Sequence, residues 1–267
     1  MKEVFDIRNS SAALKTLCNL TSVPKNIWEQ FVGTEREYRY TDDLVEYVVD
    51  TYGKMPQNYR DWEFVYIHIT TSANNCAGFR KYGILDLQES YLCDESELRI
   101  FLEQNNIYID LHKRNLIYKG KSYDITYGKC PRQGTLEHEC WAVGRKFYYD
   151  FTTCGFLSVW SRSPYAGMVH YRPEILMNID NLLNTTLSQK WAMTHKPYEI
   201  IARVSGENIV FDGYDETSEK EKVIRYLTLA YDNAFGEPFE EVLLLKNHIQ
   251  VPPSDILEIT PMQCWET

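Results

Sequence analysis

Several positions near predicted strands carry side chains suited to binding a polar molecule. His68 and Thr70 lie in the run 64–71, whose β-branched and aromatic residues predict a strand. Because side chains alternate along a strand, these two share one face. The guanidinium of Arg162 suits paired anionic oxygens, and the ring of Tyr165 suits stacking on a flat ring.

Glu241 offers a carboxylate at the start of a late apolar strand. It directly precedes the run 242–245, and a carboxylate held rigidly and partly desolvated at such a position suits proton abstraction. Glu240 is the alternative candidate for this carboxylate. Alternation places the two glutamates on opposite faces, so only one of them can abstract the proton. The alternative interpretation is structural: a packed strand histidine, a surface arginine in a turn and solvated carboxylates.

Common signatures for nucleotides and metals are missing from the sequence. It contains no GxG pair, no GxxxxGK[ST] loop, no HExxH motif and no GxSxG elbow. Four residues could in principle meet around zinc, but their spacing matches no usual ligand pair and we expect no metal; they are Cys130, His138, Cys140 and Cys154. Any nucleotide must therefore be bound by a scaffold other than a Rossmann domain or a P-loop.

Composition limits the class of protein and of partner. Of 267 residues, 44% are hydrophobic and 25% are charged, which is ordinary for a globular protein. The formal charge of −10 argues against broad contact with duplex nucleic acid, which requires many Lys and Arg side chains. Seven scattered cysteines predict reduced thiols in a cytoplasmic protein. No signal-peptide core and no apolar run of roughly 18 residues occurs, so we expect no membrane association.

The elements that position these side chains mix strands and helices without βαβ regularity, which predicts an α+β fold. Residues 1–60 read as an N-terminal helical extension. Residues 61–267 read as the main domain, with an inserted β-meander and loop region at about 94–150. We expect helices at 25–32, 42–53, 173–187 and 219–235, and strands at 64–71, within 107–127, and at 145–151, 155–160, 239–245 and 255–259.

Local signals add four finer expectations. Ser72 is predicted to cap a helix that starts at residue 73, and Asp94 to form a capping box with Glu97. Residues 128–140 resemble a loop. The segments 198–204 and 209–211 flank a short turn and predict a hairpin.

Three segments in order carry a resemblance to a known family. They read Ile-His-Ile-Thr-Thr-Ser at 67–72 with Tyr-Gly-Ile-Leu at 82–85, Trp-Ser-Arg-Ser-Pro-Tyr at 160–165, and Phe-Glu-Glu-Val-Leu-Leu at 239–244 with a double proline at 252–253. Together they resemble NAD-dependent ADP-ribosyltransferases, particularly the DarT-like toxins that modify nucleic-acid bases. The resemblance covers roughly residues 64–92 and 150–260.

The resemblance implies a split, strongly bent β-sheet core with surrounding helices and NAD as co-substrate. It implies catalytic roles for Glu241 and Arg162, and NAD-binding roles for His68, Thr70, Ser72 and Tyr165. Arg162 would contact the NAD diphosphate or steady the active site, and Glu241 would bind the ribose 2′-hydroxyl. His68 would hold the adenosine-side ribose, and we expect His68 and Glu241 to face a common cleft sized for a dinucleotide.

The implied activity is transfer of ADP-ribose from NAD to a nucleic-acid base, with single-stranded RNA or DNA favoured. The implied setting is a toxin of a toxin–antitoxin or phage-defence system, with an antitoxin protein as partner. Arginine-modifying relatives carry an ExE motif, whereas position 239 is Phe, which disfavours a protein-arginine target. The alternatives are transfer to a protein or small molecule, NAD hydrolysis, and a non-catalytic binding module.

Overall fold

The computed structural model describes residues 2–126, 128–160, 163, 168–211, 217–237 and 239–262. The protein is mixed α+β, with a bent antiparallel sheet and helices, which confirms the predicted class. The chain divides into two compact units. Unit 1 comprises Met1–His68, Cys154–Ser163 and Ile201–Leu245, and unit 2 comprises Ile69–Thr153, Pro164–Ile200 and Lys246–Thr267.

The helices are α1 (Ser10–Thr21), α2 (Lys25–Phe31), α3 (Thr41–Tyr52), α4 (Ala77–Tyr82), α5 (Leu87–Leu92), α6 (Glu97–Gln104), α7 (Leu136–Tyr148), α8 (Glu174–Leu183), α9 (Leu187–Ala192) and α10 (Glu219–Phe235). The strands are β1 (Val4–Phe5), β2 (Glu63–Ser72), β3 (Ile107–Asp110), β4 (Asn115–Tyr118), β5 (Lys121–Asp124), β6 (Cys154–Ser158), β7 (Lys196–Ser205), β8 (Ile209–Val210), β9 (Glu241–Leu245) and β10 (Ile256–Pro261). Helices α2, α3 and α10, the meander β3–β5 and strands β2, β6, β9 and β10 confirm their predictions.

Hydrogen-bonded neighbours in the main sheet follow the order β10-β7-β2-β6-β9-β8, and β1 runs parallel to β2. In unit 1, β2 pairs antiparallel with β6 and β6 pairs antiparallel with β9. Ile67, Phe156 and Val242 therefore form one row across three strands. One strand, β6, separates the strands that carry His68 and Glu241.

An aromatic cluster anchors β2 in unit 1. Helix α10 begins at a capping box in which Ser218 and Glu221 bond each other's backbone N–H groups. Its residue Tyr226 lies against Phe64, with ring centroids 5.0 Å apart, and against Trp62 at 6.4 Å. All three rings are buried, so one face of the first half of β2 is fixed by α10.

Unit 2 contains a second, three-stranded sheet in the order β3-β4-β5. The inward face of this sheet contributes Ile107 and Leu116 to a core that α6, α7 and α8 complete. Phe147 of α7 and Ile179 of α8 are fully buried in the same core. The opposite face of the sheet remains partly exposed.

Two predicted elements in the middle and late chain are wrong. Residues 136–148 form helix α7 instead of a loop followed by a strand at 145–151. The predicted hairpin also fails, because β7 and β8 are not neighbours in the sheet: β8 pairs antiparallel with β9.

The two predicted caps at 72 and 94 are also corrected. Helix α4 starts at Ala77 rather than at residue 73, after Cys76 in the left-handed region with a φ of 58°. The cap of α6 is Ser96, whose hydroxyl accepts from the Arg99 N–H. The Ser72 and Glu97 side chains instead bond each other across 25 residues of sequence.

The six cysteines within the described residues are free thiols. None of the helices in the described part of the chain is both long and apolar enough to cross a membrane.

Candidate functional site

His68 lies near the middle of β2, in unit 1, and its ring is partly exposed. Its Nδ1 lies 2.9 Å from the carbonyl oxygen of Cys154 on β6. A carbonyl oxygen only accepts, so Nδ1 carries the proton, and Nε2 of the neutral ring is an acceptor. Surrounding protein lowers the pKa of the His68 imidazole by desolvation. The neutral ring is thereby favoured, with an acceptor atom suited to a hydroxyl group.

Glu241 is the first residue of β9 and is half-buried. It lies opposite Ser158, at a β-bulge of β6. The Ser158 hydroxyl donates to the carbonyl oxygen of Phe239 at 2.9 Å, which fixes the chain just before the strand. Glu240 directly precedes the strand, whose first residue is Glu241.

The sheet register brings His68 and Glu241 to the same face. Starting from the row Ile67, Phe156 and Val242, His68 is one residue further along β2 and Glu241 is one residue earlier along β9. Each is therefore on the face opposite to that row. Two strand spacings of about 4.8 Å and two residue steps of about 3.4 Å separate their Cα atoms by about 12 Å.

Two residues that the sequence reasoning missed lie on this face. Tyr66 is fully buried, and its ring would collide with a Cβ placed on Gly155. The glycine therefore lets the tyrosine ring lie over β6, the strand between the histidine and the glutamate. The signals were present in the sequence: Tyr66 is two residues from His68, and glycine inside a strand marks a close approach.

The Tyr66 hydroxyl is among the buried polar atoms that have no hydrogen-bond partner among the described residues. Desolvation raises the pKa of this phenol above its ordinary value, so it is a neutral donor. Native proteins pair most buried polar groups, and an exception asks for an explanation such as a ligand. The Tyr66 ring therefore occupies space between His68 and Glu241 where we expected an open cleft.

The remaining predicted binding residues fall on unit 2. Thr70 is partly exposed, and alternation gives it the same face of β2 as His68. Ser72 is buried, and its hydroxyl donates to Glu97 Oε1 at 2.7 Å and accepts from the Cys76 N–H at 2.8 Å. The Ser72 hydroxyl is therefore already used within unit 2.

Glu97 organises the segment that follows β2. Its carboxylate also accepts from the Ala73 N–H at 2.7 Å and lies 3.4 Å from Nε2 of His195. The His195 ring stacks on Trp191, with centroids 3.4 Å apart, and Trp191 donates to the Thr71 hydroxyl at 2.8 Å. Serine, glutamate and histidine thus meet, but the glutamate stands between the other two, so the histidine does not activate the serine as in a hydrolase triad.

Two predicted site residues, Arg162 and Tyr165, lie outside the described residues. Within the described ranges, no group of three or more His, Cys, Asp or Glu side chains is arranged to hold a metal ion. Comparison with protein-family models, curated proteins and solved structures finds no match to this chain.

Proposed function

We propose that this chain transfers ADP-ribose from NAD to a nucleic-acid base, as a toxin of a toxin–antitoxin or phage-defence system. The observation that carries the proposal is the register in unit 1. It directs the neutral imidazole of His68 and the carboxylate of Glu241 to one face of the sheet, with a single strand between the strands that carry them. This separation suits two riboses joined through a diphosphate.

Each residue has a distinct part in the proposed reaction. Nε2 of His68 accepts a hydrogen bond from a hydroxyl of the adenosine-side ribose, because Nδ1 is committed to the Cys154 carbonyl. Glu241 accepts from the 2′-hydroxyl of the other ribose and stabilises positive charge on that ring. Tyr66 lies over the strand between these two residues and is fully buried, so binding of the dinucleotide would require its ring to turn aside. Its hydroxyl, unpartnered among the described residues, would then donate to an oxygen of the dinucleotide.

The proposed chemistry is a substitution at C1′ of the nicotinamide ribose. The bond from C1′ to the nicotinamide nitrogen breaks, and nicotinamide leaves with the bonding electrons through an oxocarbenium-like state. A nucleophilic atom of the base then bonds to C1′. The proton that this atom loses passes to Glu241 or to water, so the step needs no further reactant.

A base is favoured over a protein arginine as the acceptor. Phe239 stands two residues before Glu241, where arginine-modifying transferases carry a second glutamate. The register of β9 supports placing Glu241 on the side of His68, and the phenylalanine at position 239 leaves it without the second carboxylate of an ExE motif. An unpaired base is more accessible than a paired one because it does not have to be pulled out of a duplex.

The test uses NAD labelled in its adenylate part, incubated with the protein and separate RNA, DNA and protein pools. We expect label in RNA or DNA, and Glu241→Gln should reduce the transfer rate by about 10³-fold, within the range for loss of an acid–base group. Glu240→Gln, on the neighbouring residue, is the matched control and should retain the wild-type rate. Label confined to protein, or equal activity of the Glu241→Gln variant, would refute the proposal.

A further inference from the structure

A groove in unit 2 combines cationic, aromatic and amide side chains. It has a volume of about 630 Å³, which lies in the range of ligand sites. Three consecutive amides line it where α6 ends, and the β3–β4 sheet and α9 supply its aromatic and cationic residues. The lining residues that bear on binding are Gln104, Asn105, Asn106, Tyr108, Lys119 and Lys190.

The groove is locally basic in an acidic chain. Its described lining contains two lysines and no carboxylate, whereas the whole chain has 38 acidic and 28 basic residues. Lys190 Nζ donates to Asn105 Oδ1 at 3.0 Å, and Lys119 Nζ lies 4.9 Å from the centroid of the Tyr118 ring. Neither lysine has an ion pair with a carboxylate among the described residues, so both charges are available to an anion.

The hairpin between β4 and β5 fixes the direction of one of these cations. Lys119 and Gly120 form its two-residue turn, and both have positive φ, at 49° and 77°. This is the turn geometry that matches the twist of a hairpin. Lys119 is therefore presented from a short, rigid connection rather than from a long loop.

An exposed aromatic surface continues the groove along the sheet. Tyr108 is 49% exposed and pairs across the strands with Ile117, which is 37% exposed. Their row belongs to the outward face, since Ile107 and Ile109 point into the core. A half-exposed tyrosine ring on a sheet is a platform on which a flat base can stack. The neighbouring amides offer donors and acceptors to the edges of that base.

We propose that this groove binds single-stranded nucleic acid, with a base stacked on Tyr108 and phosphates near Lys119 and Lys190. The assignment of the bound nucleic acid as the acceptor of ADP-ribose rests on the proposed function. The binding of nucleic acid to the groove does not depend on it. Two lysines suit a short stretch of one strand, whereas the many phosphates of a duplex would meet an acidic protein. Stacking also needs a base that is free of its partner.

The experiment measures binding of a fluorescent single-stranded oligonucleotide of about 12 nucleotides to the full chain, without NAD, by anisotropy at several salt concentrations. Tyr108→Ala should weaken binding by about 10-fold, and Tyr108→Phe should bind as the wild type does. Lys119→Gln and Lys190→Gln should each lower the slope of log affinity against log salt by about 0.7. Lys15→Gln, at an exposed lysine of α1, makes the same charge change and should leave binding and slope unchanged.

The outcomes separate this inference from the proposed activity. Binding that depends on Tyr108 and both lysines supports the groove even if no ADP-ribose is transferred. Transfer to nucleic acid with unaltered affinity in the groove variants refutes the groove and leaves the activity standing. Preference for duplex, absence of binding by the wild type, or a dimer that Tyr108→Ala dissociates in sedimentation would each overturn the inference. Circular dichroism melts confirm that each variant is folded.

Discussion

Two regions of β2 differ in how completely their polar side chains are hydrogen-bonded within the chain. In unit 1, the buried Tyr66 hydroxyl has no partner among the described residues. In unit 2, the buried Ser72 hydroxyl bonds both Glu97 and the backbone of Cys76. A buried polar group without a partner costs stability, which makes the Tyr66 hydroxyl a candidate for a role other than stability. The Ser72 hydroxyl has its hydrogen bonds within unit 2, so a structural role is enough to explain it.

The unit 2 region has the character of a structural clamp. Glu97 holds Ser72 and the Ala73 backbone at once, and His195 closes the other side of the carboxylate. Such a network ties the segment after β2 to α6 and to the chain after α9. On the unit 1 face, the Tyr66 hydroxyl has no hydrogen-bond partner among the described residues. The titratable side chains of His68 and Glu241 lie on β2 and β9, on either side of β6. This difference supports assigning the proposed chemistry to the unit 1 face rather than to the network of Ser72, Glu97 and His195.

The largest expected effect on stability follows from breaking the clamp. Glu97→Ala removes a charged acceptor from the buried Ser72 hydroxyl and from a backbone N–H, and should lower the free energy of unfolding by about 3 kcal/mol. Urea unfolding followed by circular dichroism measures this change. Glu95→Ala is the matched control, because the contact of Glu95 among the described residues is an exposed ion pair with Lys81, and its loss should cost less than about 0.5 kcal/mol. Equal effects of the two variants would show that Glu97 is no clamp.

A smaller effect of opposite sign is expected at Tyr66. Tyr66→Phe removes a buried hydroxyl that has no partner among the described residues, so the free energy of unfolding should rise by about 1 kcal/mol. Transfer of ADP-ribose should fall by about 10-fold if that hydroxyl donates to the dinucleotide. The same urea titration and the labelled-NAD assay measure the two changes.

Tyr198→Phe provides the matched control for this substitution. The Tyr198 hydroxyl donates to Asn75 Oδ1 at 2.8 Å, so its removal should lower the free energy of unfolding by about 1 kcal/mol. The two tyrosines are thus expected to respond in opposite directions. A loss of stability in Tyr66→Phe would mean that the hydroxyl has a partner in the fold, and the contrast between the regions would disappear.

Regular elements with local signals were predictable from the sequence. Helix α10 has both a capping box and periodic apolar residues, and its predicted start is confirmed at Glu219. Helix α7 was missed although its buried residues recur at helical spacing; they are Cys140, Val143, Gly144 and Phe147. Glycine lowers helix propensity, but at position 144 it is required, because a Cβ there would collide with the Ile125 backbone.

Polar residues near β2 were harder to interpret because their partners are distant in sequence. Ser72 and Glu97 each fit a local capping pattern, yet they bond each other. The shared face of His68 and Glu241 depends on β6 pairing with both β2 and β9, which local patterns do not specify. The alternation of side chains along β2 would have been enough to place Tyr66 on the same face as His68. The sequence therefore supports choosing candidate residues, while their assembly follows from strand order.

The smallest expected effect is a dependence of stability on pH through the clamp. Desolvation lowers the pKa of the His195 imidazole from its ordinary value of 6.5, against the opposing influence of the nearby Glu97 carboxylate. The unfolded chain, with the ordinary pKa, binds more protons than the folded chain once the pH falls below 6.5. The free energy of unfolding contributed by His195 is therefore present above that pH and is lost as the pH falls.

Replacing the imidazole by a neutral amide separates this contribution from those of the other histidines. In His195→Gln, the decrease in the free energy of unfolding between about pH 7.5 and pH 5.5 should be smaller than in the wild type. His68 and His170, whose pKa values are also lowered by desolvation, keep their contributions in both proteins. His112→Gln, at an exposed histidine of unit 2, should show the wild-type decrease. A steeper decrease in His195→Gln would mean that the Glu97 carboxylate outweighs desolvation, and the contact between Glu97 and His195 would then be an ion pair rather than one between a carboxylate and a neutral imidazole.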